Sequence, residues 1–110
     1  MAYDQVLAER IRGVVQGERD LTEQRMFGGL AFLVHGSMAV AASGEGGLML
    51  RCDPAETEAL LDPPRVRRVE MRGREMDGWL RVSDEAVAAD EDLRRWVTVG
   101  LEYARSLPPT

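Results

Sequence analysis

Apolar and polar residues alternate along this chain with two distinct periods, and the places where the period changes divide it into elements. Over residues 3–16, Tyr3, Val6, Leu7, Ile11, Val14 and Val15 recur at three- and four-residue intervals, with Asp4, Glu9, Arg12 and Gln16 between them. That spacing predicts an amphipathic first helix. The polar run Glu18-Arg19-Asp20 reads as a loop, followed by a strand over 22–27. Two apolar runs, 30–34 and 38–42, flank His35-Gly36-Ser37, a hairpin-length turn, and a second glycine-rich turn over 43–47 leads into a strand over 48–52. These runs predict an antiparallel meander.

Asp53-Pro54-Ala55-Glu56 reads as a helix start, with Asp53 as cap, Pro54 in the first turn and Glu56 placed as in a capping box. The helix is short, because Asp62-Pro63-Pro64 stops it. Strands over 66–71 and 78–82 follow, joined by a polar loop over 72–77. The acidic clusters Ser83-Asp84-Glu85 and Asp90-Glu91-Asp92 stand before helical sequence, where carboxylates suit a helix N-terminus. Leu93, Trp96, Val97, Leu101, Ala104 and Leu107 then form an apolar stripe on a last helix that ends before Pro108-Pro109. Helix, strands, short helix, strands and helix is not a regular βα alternation. The expected class is α+β: an antiparallel meander of five or six strands with the N- and C-terminal helices packed on it.

Composition narrows the class further. With 110 residues, 45% hydrophobic and 30% charged, the chain is sized for a single domain over 1–110 that buries roughly two-thirds of its unfolded surface. No apolar stretch approaches a membrane span and no leader pattern opens the chain, so a cytoplasmic, membrane-free protein is expected. The single cysteine, Cys52, excludes an internal disulfide. All 14 basic residues are arginine, which reflects coding bias as readily as phosphate recognition.

The net charge of −5 opposes non-specific binding to a polyanion, but charge is unevenly spread. Within 65–81, Arg65, Arg67, Arg68, Arg72, Arg74 and Arg81 against Glu70, Glu75 and Asp77 leave +3, and the rest of the chain therefore carries −8. A nucleic-acid contact through Arg67, Arg68, Arg72, Arg74 and Trp79 is accordingly the alternative reading. Trp79 could stack on a base or a partner, or belong to the core.

Candidate chemistry is sparse. Gly28-Gly29 and Gly44-Glu45-Gly46-Gly47 lead into strands rather than a helix, and the chain has no lysine, so a phosphate loop is not expected. A glycine inside strand sequence instead marks a turn, a bulge or a close backbone approach. A zinc site needs three or four converging ligands. His35, in a turn, and Cys52, in phase with Leu48 and Leu50, are the only soft candidates, so neither metal nor cofactor is expected. A Cys52–His35 catalytic pair lacks an orienting third group. The reading is non-enzymatic.

Sheet alternation makes both faces of the meander apolar. Leu30, Phe32 and Val34 would point one way and Ala31 and Leu33 the other; Ala39 and Ala41 would alternate with Met38, Val40 and Ala42, and Met49 would oppose Leu48 and Leu50. The second face must then be covered by a second copy, a partner protein or the C-terminal helix.

The segment RMFGGLAFLVHGSMAV, with YDQVLAERIR before it and GLMLRCDP, GWLRV and YARSLPP after it, resembles the TfoX N-terminal domain family over nearly the whole chain. Met26-Phe27-Gly28-Gly29 is its most specific part. The resemblance implies an α+β domain similar to the secretion-chaperone-like fold. The family takes its name from a bacterial regulator of natural competence that has an additional helical C-terminal domain, and it transfers no catalytic residue. What it implies is a regulatory interaction domain acting through a protein partner or a homodimer, with Arg25, Phe27, Gly28 and Gly29 at a defined edge.

Overall fold

A computed structural model describes residues 3–26 and 28–108. Helix α1 (Gln5–Val15) starts where Asp4 accepts hydrogen bonds from the backbone N–H groups of Val6 (2.9 Å) and Leu7 (3.1 Å). It begins later than the periodicity suggests because Asp4 caps it from outside. Strands β1 (Leu21–Met26), β2 (Gly29–Val34), β3 (Ser37–Ala42) and β4 (Leu48–Arg51) form the antiparallel meander. A 3₁₀ turn (Pro54–Glu56), opened by a hydrogen bond from Ala55 N–H to the Asp53 carboxylate, leads into the single turn of α2 (Thr57–Leu60).

Strands β5 (Val66–Met71) and β6 (Arg74–Val82) follow, then a 3₁₀ turn (Glu85–Val87) and α3 (Asp90–Ser106). Asp90, Glu91 and Asp92 occupy the first turn of α3, as its positive end favours. Of the cluster at 83–85, Asp84 precedes and Glu85 begins only the 3₁₀ turn. Among the described residues the strands form one six-stranded antiparallel sheet in the order β1-β2-β3-β4-β6-β5, with α1 and α3 on one face. This is the expected α+β class. No helix among the described residues is long and apolar enough to cross a membrane.

The main core lies between sheet and helices. Ile11, Phe32, Val34, Leu48, Leu50, Leu80, Leu93 and Val97 are all fully buried there. Two expectations about the strands need correction. Simple alternation along β3 fails because the β2–β3 pairing passes from Phe32↔Val40 to Leu33↔Met38, which makes Ala39 an extra residue. Ala39, Val40 and Ala42 therefore all belong to the core, and only Met38 and Ala41 turn to the other face.

The second correction concerns 72–77, of which all but the first two residues are strand rather than loop. Arg72 and Gly73, at φ 53° and 77°, make a two-residue turn with both central residues left-handed, and β6 starts at once after it. The register of β5 on β6 then jumps from Arg68↔Leu80 to Val69↔Met76, so Asp77, Gly78 and Trp79 have no partner on β5. This break lets the β5–β6 hairpin leave the plane of the sheet. Gly78, at φ 86°, is pinned at the break by donating its N–H to Thr57 Oγ1 (2.7 Å) and by accepting from Cys52 N–H (3.0 Å).

Candidate functional site

The face of the sheet away from the helices carries a second apolar cluster. Ala31, Leu33, Met38 and Ala41 point to it and are between 1% and 8% exposed, with Met26, Met49 and Trp79 packed against them. The C-terminal helix does not cross this face, since α3 lies on the other one. Part of the cover is the β5–β6 hairpin. Between it and the sheet lies a cleft of about 360 Å³, with Ala41 and Met49 on its floor and Val69, Met71 and Met76 on the hairpin side. Met26 and Trp79 also line it, and its polar groups are Ser43, Glu45, Glu70 and Arg81.

Two of those polar groups are tied down. Arg81 Nη1 donates to Ser43 Oγ at 2.9 Å, and Nη2 stands 3.7 Å from Glu45 Oε1. Trp79 is held on one side by the Arg51 guanidinium, whose carbon lies 4.8 Å from the indole and 5.2 Å from the Tyr103 ring. Arg51 Nε is buried with no hydrogen-bond partner among the described residues, and the guanidinium rests between the two rings.

The paired glycines build one end of the cleft. A Cβ on Gly29 would lie 2.4 Å from the Ala42 carbonyl oxygen, and one on Gly44 would lie 2.6 Å from that of Gly28. The β1–β2 turn and the β3–β4 loop thus touch backbone to backbone. Gly28, at φ 77°, supplies the left-handed residue that the turn needs, with open space where its side chain would be. Gly28 and Gly29 are in this respect a packing device for two loops.

The candidate residues divide as follows. Gly29 lines the cleft, and Gly28 lies behind it against Gly44; Arg25 is exposed on β1, on the helix side of the sheet with Glu23, and Phe27 lies outside the described residues. Trp79 lines the cleft. Of the arginine segment, Arg65 pairs with Asp62, Arg68 with Asp77 (2.8 Å) and Glu75 (3.9 Å), and Arg81 with Glu45. Arg67, Arg72 and Arg74 have no ion pair among the described residues. A polar hollow of about 630 Å³ beside Arg67, Arg68 and Arg81 is lined equally by Glu45, Glu70 and Glu75, which offsets its positive charge.

The soft ligands do not converge. His35 stands in the β2–β3 turn at φ 52°, its Nε2 3.4 Å from the Asp20 carboxylate. Cys52 is buried with Sγ 3.9 Å from Thr57 Oγ1, and burial pushes its thiol pKa up, partly opposed by that contact. Among the described residues no three His, Cys, Asp or Glu side chains are grouped to hold a metal ion.

Sequence reading missed Met71 and Met76, because the hairpin that brings them to the second face depends on the register break. It also missed Arg51 and Tyr103, whose meeting at Trp79 joins α3 to the sheet across 52 residues of chain. The phase of Met26 and Met49 with the second-face residues was the available signal.

An open antiparallel sheet with two helices on one face and a methionine-lined cleft on the other defines an α+β domain with a recessed apolar surface. The chain belongs to the TfoX N-terminal domain family, whose model matches residues 14–104. Comparison with curated proteins and with solved structures gives no match to either.

Proposed function

We propose that this chain is a non-enzymatic, cytoplasmic interaction domain of regulatory type, which acts through a protein partner or its own dimer. The cleft between the second face and the β5–β6 hairpin carries the reading. Methionine side chains are flexible and polarizable, and surfaces rich in them adapt to apolar groups of different shape. Met26, Met49, Met71 and Met76 around Trp79 fit that pattern, and Met71 is 45% exposed. Support for a role without catalysis comes from the two nucleophile candidates: Cys52 is buried and held as the thiol, and His35 is engaged by Asp20. Family membership supports the regulatory or interaction part of the reading.

The test is affinity capture with the full chain after nuclease treatment, wild type against Met71→Asp. A stoichiometric protein partner that survives nuclease and is lost with Met71→Asp, at unchanged melting temperature, supports the cleft. Material recovered only when nucleic acid is intact, and lost on replacing Arg67, Arg72 and Arg74, would instead favour the arginine segment. Such binding would weaken steeply with salt.

A further inference from the structure

We propose that β1 is a self-recognition edge, along which two copies of this chain join antiparallel about a two-fold axis through Gln24. This edge meets the cleft only at Met26, and the pairing proposed along it does not depend on the cleft. The two edges of the sheet differ. At β5, Asp62 and Val66 exchange backbone hydrogen bonds of 3.0 Å in both directions, and the register breaks after Arg68, so the outer side is partly occupied and bent. At β1 the pairing with β2 runs unbroken from Leu21↔Val34 to Met26↔Gly29. The outer side of β1 is an extended row of backbone groups with no strand against it among the described residues.

The direction of those groups follows from one hydrogen bond. His35 N–H donates to the Asp20 carbonyl at 3.1 Å, and 20 and 35 continue the β1–β2 register. In an antiparallel pair hydrogen-bonded and non-hydrogen-bonded positions alternate. Residues 20, 22, 24 and 26 therefore direct their backbone groups to β2, while Leu21, Glu23 and Arg25 present theirs outward. A two-fold axis that sets Glu23 or Arg25 opposite a charged residue of β1 falls at 23, 24 or 25. The first sets Glu23 against Glu23, and the last sets Arg25 against Arg25.

Like charges directly opposite are unfavourable, whereas an axis through Gln24 sets Glu23 against Arg25 twice, once on each side of the axis. Both side chains lie on the helix side of the sheet. Glu23 is already fixed there by two hydrogen bonds from Arg12, Nε to Oε2 at 2.7 Å and Nη2 to Oε1 at 2.9 Å. Arg25 is exposed and has no ion pair among the described residues. The partner's carboxylate would complete it, with outward N–H and C=O groups of both strands paired in the same step, as in strand addition to an open edge.

Light scattering and sedimentation of the full chain test this directly. The expected wild-type mass is twice 12.2 kDa. Arg25→Glu places two carboxylates opposite each other and should give the single-chain mass with an unchanged circular dichroism spectrum, since Arg25 is exposed. Glu23→Arg, which also removes the pair with Arg12, should give the single-chain mass as well, and Glu23→Arg combined with Arg25→Glu should restore the dimer. A wild type that stays monomeric at every concentration overturns the proposal, as does a dimer that survives Arg25→Glu. Neither result touches the cleft, which Met71→Asp probes separately.

Discussion

A Cβ on Gly100 would stand 2.4 Å from the Ala39 carbonyl oxygen and 2.7 Å from Val40 Cγ1, so α3 rests on the backbone of the β3 bulge. Backbone cannot yield as a side chain can. Gly100→Ala is therefore expected to destabilise by about 2 kcal/mol or more, read as a fall in Tm of several degrees. The glycine pair allows a sharper comparison. Gly28→Val adds a side chain into open space and costs only the left-handed backbone, about 1–2 kcal/mol. Gly29→Ala forces a methyl against the Ala42 carbonyl and is expected to cost more despite being smaller. Unchanged melting of Gly28→Val with lost partner binding would make this turn a recognition loop. These roles are invisible in sequence, because a glycine at a turn and a glycine at a backbone contact look alike.

Between elements, Thr57 is the join that sets the hairpin. Its hydroxyl donates to Pro54 C=O (2.9 Å) and accepts from Gly78 N–H (2.7 Å), at a site where Thr57 is 1% exposed. Thr57→Val keeps the shape and strands the Gly78 donor, an expected loss of about 1–3 kcal/mol in denaturant unfolding, with partner binding weakened further if the hairpin shifts. The Arg12 guanidinium links α1 to β1 and holds the Glu23 carboxyl below its usual range. A depressed folded pKa contributes stability at neutral pH that disappears as pH falls through it. Removing this pair with Glu23→Gln should flatten the acid side of the Tm-against-pH curve slightly, since the pair is half-exposed. The helices, the strand runs and the Asp53 cap were legible in the sequence because each depends on local period and local hydrogen bonds. The β3 bulge and the β6 break were not, since both are decided by what lies across the sheet.

For the molecule as a whole, charge gives a further expectation. The net −5 and the pairing of Arg65, Arg68 and Arg81 leave little continuous positive surface, so binding to a generic duplex at physiological salt should be undetectable by fluorescence anisotropy. Tight, salt-sensitive binding there would revive the arginine segment. By itself the sequence determined the α+β class, the helix on each flank, the meander and the apolar character of both sheet faces, all of which follow from periodicity in one dimension. The resemblance carried by Met26-Phe27-Gly28-Gly29 determined the family. Only the tertiary structure decided that the hairpin closes over the second face to leave a methionine cleft, and that Arg25 and Glu23 share an open edge. Both depend on register between strands, where a shift of one residue reverses every side chain and no local pattern records which register wins.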